Sequence, residues 1–137
     1  LADKNQGKIS NFRNDAWLGF RKEHFEVLID FGQDPPTIGE VVGSFGEKMG
    51  SEIFLPERVE VWGGDNPNKL QILSQTKLEM PDGFKPQKTQ GIGVKFEPSK
   101  HRYYLLKALP YKRLPSWHGG SNSKRKTWIF IDEVFFY

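Results

Sequence analysis

Residues 114–137 read LPSWHGGSNSKRKTWIFIDEVFFY, and the second half of that stretch decides the fold. From Thr127 to Tyr137 the run is apolar except for Asp132 and Glu133. Its ring and β-branched side chains suit a pleated strand. A strand this apolar belongs in the middle of a sheet, with both faces covered. HRYYLLKALPYK (101–112) has the same character. Elsewhere the pattern alternates instead. Phe25, Val27, Ile29 and Phe31 are separated by charges at Glu26 and Asp30, Val59 and Val61 flank Glu60, and Ile92, Val94 and Phe96 lie two apart. That is the period of strands with one face buried.

Turn chemistry separates these runs: DPP at 34–36, GGDNPN at 63–68 and PDGFKP at 81–86. The chain holds 14 Gly and 9 Pro in 137 residues, above the background of about 12% for the pair. Aromatic residues reach 14%. Adding TIGEVVGSFGE (37–47) and KLQILSQTKLEM (69–80) gives seven or eight strands at the spacing of an all-β sandwich. No repeat and no low-complexity linker divides the chain, so residues 1–137 are expected to form a single domain. A chain that opens on Leu rather than Met is expected to be a mature product or a piece of something longer.

The composition closes off several functions. With 20 basic and 17 acidic residues the charge is too balanced to imply nucleic acid. There is no cysteine, hence no disulfide framework and no thiolate chemistry. No apolar run reaches the length of a membrane span, and no membrane insertion is expected. Nucleophile elbows, zinc-protease helices, phosphate-binding glycine loops and dinucleotide fingerprints are all missing. His24, His101 and His118 fall at no metal-ligand spacing. No catalytic residue is expected.

Two clusters remain. Asp132 and Glu133 are adjacent, so a regular strand would send them to opposite faces and exclude a paired acid–base role. One carboxylate must then be buried or lie at an edge, which is costly without a partner. Either an Arg or Lys pairs with Glu133, or a cation does. Calcium accepts carboxylates, hydroxyls and backbone carbonyls in irregular geometry, and the opening LADKNQGKIS offers Asp3, Asn5 and Ser10 around Gly7. The second cluster is Trp117-His118 beside Gly119-Gly120. A flat ring can cover the C–H face of a pyranose while an imidazole bonds its hydroxyls; equally, Trp117 can anchor the loop from beneath. Trp62, with Asp65 in the following turn, is a second candidate ring, and Phe45 in GSFG a third. Trp17 and Trp128 read as structural, the spacing leaves Arg102 undecided, and Lys124-Arg125-Lys126 reads as a solvated hairpin tip.

Several of these stretches resemble one family in order along the chain. WLGF and VLIDFG resemble the start of the galactose-binding-like domains, which include the family 32 carbohydrate-binding modules and the discoidin, or coagulation-factor C-type, domains. EIFLPERVEVW resembles their "I-x-x-P-x-x-V-x-V" strand and HRYYLLKAL their "ARY-V-R-V-x-A" strand. LPSWHGG…TWIFIDEVFF is similar to the ending of the version appended to bacterial β-hexosaminidases (chitobiases). The resemblance implies an eight-stranded antiparallel jelly-roll sandwich with a structural Ca2+, for which Asp3 and Glu133 become the side-chain ligands, with Asn5 and Ser10 near them. DKNQG departs from the family's usual first loop.

The resemblance also implies a non-catalytic carbohydrate-binding or accessory module of a secreted glycoside hydrolase, placed outside the cell, in the periplasm or at its surface. Its partners would be a glycan containing galactose or N-acetylhexosamine and its own catalytic domain. A structural domain that packs on that catalytic domain and binds no sugar is the alternative, and a discoidin-like adhesion module a third. Buried loop tryptophans would favour the second; apolar spikes on long loops would favour the third.

Overall fold

Side chains two apart on a strand share a face, and a sandwich results when two sheets each turn one such face inward. A computed structural model of the chain describes residues 17–21 and 24–137. Within them eight strands form: β1 (Leu18–Phe20), β2 (Phe25–Asp30), β3 (Ile38–Glu47), β4 (Arg58–Gly64), β5 (Gln71–Lys77), β6 (Lys88–Ser99), β7 (Tyr103–Leu109) and β8 (Ile129–Phe136). One sheet has the order β1-β8-β3-β6 and the other β2-β7-β4-β5. Every ladder between these strands is antiparallel. The two most apolar strands, β7 and β8, each lie between two neighbours, as their composition predicts.

The core lies between the sheets. Val41 and Phe45 of β3, Ile92 and Val94 of β6, and Ile129, Ile131 and Val134 of β8 meet Phe25, Val59, Val61, Tyr104, Leu106 and Ala108 from the other sheet. Burying a large apolar side chain stabilises by about 1.5–3 kcal/mol, so this layer sets the register of every strand. Trp17 joins Ile53 in a satellite cluster, with Trp128 and Phe130 packed against it. Both tryptophans are therefore structural, as their positions suggested.

One expectation fails at β8. Ile131 and Val134, three apart, both enter the core, which strict alternation forbids. The ladder explains it: Ser44 pairs Glu133 while the next residue, Phe45, pairs Ile131, so Asp132 is the extra residue of a β-bulge. The phase change turns both Asp132 and Glu133 away from the core face rather than to opposite faces.

The Lys124–Lys126 tip is also more than a solvated run. Arg125 reaches Glu52, and so does Arg21. Burial alone would raise the Glu52 carboxyl, but the hydrogen bonds from Arg125 and Arg21 outweigh it and hold the group below its ordinary value. A lowered carboxylate contributes stability above its unfolded pKa and loses it as pH falls through the folded one. Glu52→Gln is therefore expected to cost about 2 kcal/mol near pH 7. The gap to wild type should begin to narrow below about pH 4 and close as the pH falls through the lowered folded value, as read by urea denaturation across that range.

Candidate functional site

At the end of the sandwich where β3 and β4 meet the loops after β5 and β7, the sheets part around a concavity of about 490 Å³. Its apolar walls are Phe54, Leu55, Leu78, Pro81, Pro86 and Tyr111, and charged and amide side chains, Glu47 and Lys88 among them, line it between these. Apolar walls with polar groups set among them are the usual make-up of a small-molecule site.

The segment 78–87 that forms one wall is held at three points. The Tyr111 hydroxyl donates to the Leu78 carbonyl at 2.7 Å, the Trp117 indole N–H to the Pro81 carbonyl at 3.0 Å, and the Lys85 N–H to the Met49 sulfur at 3.3 Å. Burial pushes the Tyr111 phenol up to about 12, so it stays a donor at any physiological pH. Pinning a loop in this way removes ordering cost from ligand binding.

Trp117 is half-buried and packs on Phe54 and Phe84, with ring centroids at 6.0 and 4.8 Å. His118 is buried. Its Nδ1 accepts from the Gly120 N–H at 2.9 Å, which fixes the proton on Nε2, and Nε2 donates to the Met49 carbonyl at 2.6 Å. Both ring nitrogens are thereby committed inside the protein, so the expectation that His118 bonds a sugar hydroxyl is corrected: it is a loop clasp. The glycine pair beside it follows. A Cβ at Gly120 would lie 3.0 Å from both Glu52 Oε1 and Leu114 Cδ1, while Gly119 has open space. The exposed ring is Phe84, 60% accessible at the tip of PDGFKP and 5.5 Å from the His118 ring. By turn chemistry alone that stretch reads only as a turn; a lone aromatic in a turn otherwise made of Pro, Asp, Gly and Lys is the signal it carries.

The other sequence candidates lie elsewhere. Phe45 is 0% exposed in the core and cannot touch a ligand, which overturns its place in the set; it is an inward position of β3. Asp65 lies beyond the opposite end of β4 from the concavity, where it accepts the Arg102 N–H at 3.0 Å. Arg102 in turn chelates Asp30 through Nε and Nη2 at 2.8 and 3.0 Å, which settles its role as a loop tie. Trp62 is half-buried on the outer face of the second sheet, with its N–H on Glu60 Oε1 at 3.0 Å. It belongs to a row of cross-strand partners, Leu28–Leu105–Trp62–Ile72. Trp117 and Trp62 thus share no concavity.

Asp3, Asn5 and Ser10 lie outside the described residues. Glu133 is 0% exposed; its Oε1 accepts its neighbour's Val134 N–H at 3.2 Å, and its Oε2 meets no hydrogen-bond donor among the described residues. Among those residues no group of three or more His, Cys, Asp or Glu gathers at a metal-binding spacing.

No protein-family model matches this chain, and no curated protein sequence does. Solved structures match in fold. The CBM32 of AlyQ in complex with 4,5-unsaturated mannuronic acid aligns with a TM-score of 0.52 at 15% identity, over 99% of this chain and 81% of that one. CpGH89CBM32-5 from Clostridium perfringens, in complex with GalNAc-β-1,3-galactose, gives 0.50 at 12% identity, over 82% and 64%. Truncated AlyQ with CBM32 and alginate lyase domains gives 0.55 at 16%, over 99% of this chain and 28% of that one. The fold is that of the family 32 carbohydrate-binding modules, and this chain spans little more than a quarter of the two-domain lyase.

The two loop rings separate cleanly by stability. His118→Ala is expected to cost about 2–3 kcal/mol by orphaning a half-buried N–H and a buried carbonyl. Phe84→Ala should cost no more than about 1 kcal/mol. Equilibrium denaturation of the two variants beside wild type checks the contrast.

Proposed function

We propose that this domain is a non-catalytic carbohydrate-binding module, and that its site is the concavity together with the Phe84–Trp117 platform at its rim. The observation that carries the reading is the exposed Phe84 ring held against Trp117, which itself packs on Phe54 and bonds the Pro81 carbonyl, both of them lining residues of the hollow. A sugar stacks its C–H face on such a ring, and polar groups in the hollow fix its hydroxyls. The sandwich it shares with sugar-bound modules supports this. An open site of this kind gives dissociation constants on the order of 0.1–1 mM, about 4–5.5 kcal/mol. That is enough to raise local substrate concentration for a tethered enzyme.

The parent protein is read as a secreted, periplasmic or surface glycoside hydrolase of the β-hexosaminidase type, supported by the Trp117-His118 and TWIFIDE stretches. A glycan-array screen followed by titration tests the site. Phe84→Ala should weaken the best-bound glycan tenfold or more while leaving the fold intact. Unchanged affinity in that variant would remove the platform, and an empty array would remove the function.

The apolar row Leu28–Leu105–Trp62–Ile72 favours a second, compatible role. Leu28 and Ile72 are both exposed on the face opposite the core, an apolar sheet face of the sort a neighbouring domain covers. It shares with the structural alternative the packing on a neighbouring domain, with Trp62 in the covered face, but not the absence of sugar binding.

Calcium belongs to the same reading. The residues present fit it: Glu133 buries a carboxylate oxygen without a donor, which a hard cation would satisfy. Asp3, Asn5 and Ser10 are the proposed companions. Saturating Ca2+ should then raise the melting temperature, by about 2.7 kcal/mol of stability at a hundred times Kd, and EDTA should reverse it. A melting temperature indifferent to both in wild type, or a full response in Glu133→Gln, would dismiss the ion.

A further inference from the structure

The floor of the concavity holds a group that the fold alone does not call for. On β3, Val41, Gly43, Phe45 and Glu47 occupy the inward positions, and the first and third of these join the core. Glu47 continues that series at the mouth of the sandwich, where it lines the hollow at only 2% exposure. Its register partner across the ladder is Lys88 at the start of β6, which lines the same hollow. The Lys88 ammonium stands 3.8 Å from Glu47 Oε1, and that oxygen has no hydrogen-bond partner among the described residues.

A buried carboxylate oxygen left unsatisfied is costly, and 3.8 Å is too long for an N–H···O bond. It is a length that one hydroxyl can span. An oxygen about 2.8 Å from each group would subtend an angle of about 85°, donating to the carboxylate and accepting from the ammonium. Lys88 is about half exposed, 46% at its side chain, and so can swing to admit it. The apolar walls then meet the carbons of the ring that carries the hydroxyl. At that point a ligand carboxylate fits worse, because it has no proton to donate and would lie against the buried Glu47 oxygen; the other charges lining the hollow, Lys85 and Glu79, are of opposite sign and leave no net attraction for an anion. Burial already pushes the Glu47 carboxyl up, against the pull of Lys88, the Leu55 N–H and Lys85, and a second anion would add to that strain.

We propose that Glu47 and Lys88 are the specificity-determining pair of this site, reading one hydroxyl of a neutral pyranose and rejecting uronates. The proposal rests on the glycan-binding reading given above and deepens it.

The test uses the full chain and NMR titration with methyl glycosides of galactose, glucose, N-acetylgalactosamine, N-acetylglucosamine, galacturonic acid and glucuronic acid. At least one neutral glycoside should bind at millimolar or tighter affinity, with its uronate counterpart at least tenfold weaker. For that neutral sugar, Glu47→Gln and Lys88→Met should each lose about tenfold. The double variant should lose no more than the worse single one, because both read the same hydroxyl. One monodeoxy form of the sugar should bind wild type as weakly as the variants, and be indifferent to them. Thermal unfolding identifies any variant that fails to fold, in which case Lys88→Met, at a half-exposed position, decides. Equal affinity for the uronate, or unchanged affinity in Glu47→Gln and Lys88→Met, overturns this pair while leaving glycan binding standing. Absence of binding by all six probes overturns the glycan reading itself.

Discussion

Apart from the bulge at Asp132, the alternation of side chains across a strand leaves little slack in this domain. With the sheets clamped on the layer that includes Val41, Phe45, Ile131 and Tyr104, each remaining position on those strands is assigned to core, outer face or mouth by its distance from that layer. A slip of one residue would exchange the two faces of a whole strand. The site inherits its placement from this. Glu47 reaches the mouth because it stands two residues beyond Phe45, and Trp62 reaches the outer face because it stands one beyond Val61.

This constraint explains what the sequence revealed. The alternation at 25–31, 59–61 and 92–96 marked strands with one inner face, and the unbroken runs at 101–112 and 127–137 marked the two that sit centrally. Period and turn chemistry are local, so they can be read without knowing the partners. The bulge at Asp132 is not local. It exists because Ser44 and Phe45 of another strand pair with residues two apart, and nothing within IFIDEVFF announces it. Phe45 is a related case: the glycines spaced around it make its ring look accessible, whereas Gly43 is bare because a Cβ there would lie 2.6 Å from the Phe45 ring, which fills the inner face.

The proposed site was legible in part. Trp117 stands at the end of the sandwich that holds the concavity, but its indole N–H is spent on Pro81 and its ring on Phe54 and Phe84. The resemblance located the loop; what the rings do there depends on a segment thirty residues earlier. Phe84 becomes significant only once Trp117 is behind it, and Glu47 only once the inward phase of β3 is known. Loop function of this sort is assembled from distant pieces, each of them ordinary in isolation.

Three glutamates, Glu52 half-buried and Glu133 and Glu47 buried, show how differently one side chain can be accommodated. Glu52 is met by two arginines, and its charge is held in place by them. Glu133 receives one weak backbone bond and keeps an oxygen over. Glu47 has a lysine near but not touching, and its carboxyl is pushed up by burial. The first arrangement is complete and explains itself as structure, because it ties two loops together. The other two are incomplete, and an incomplete buried carboxylate costs stability that packing alone would recover by substituting an apolar residue. Such a cost is intelligible where something from outside the described residues completes the shell. A divalent cation suits Glu133, which is closed to solvent and beside a second acid. A neutral donor suits Glu47, which faces a hollow and has a positive charge waiting on the far side of it.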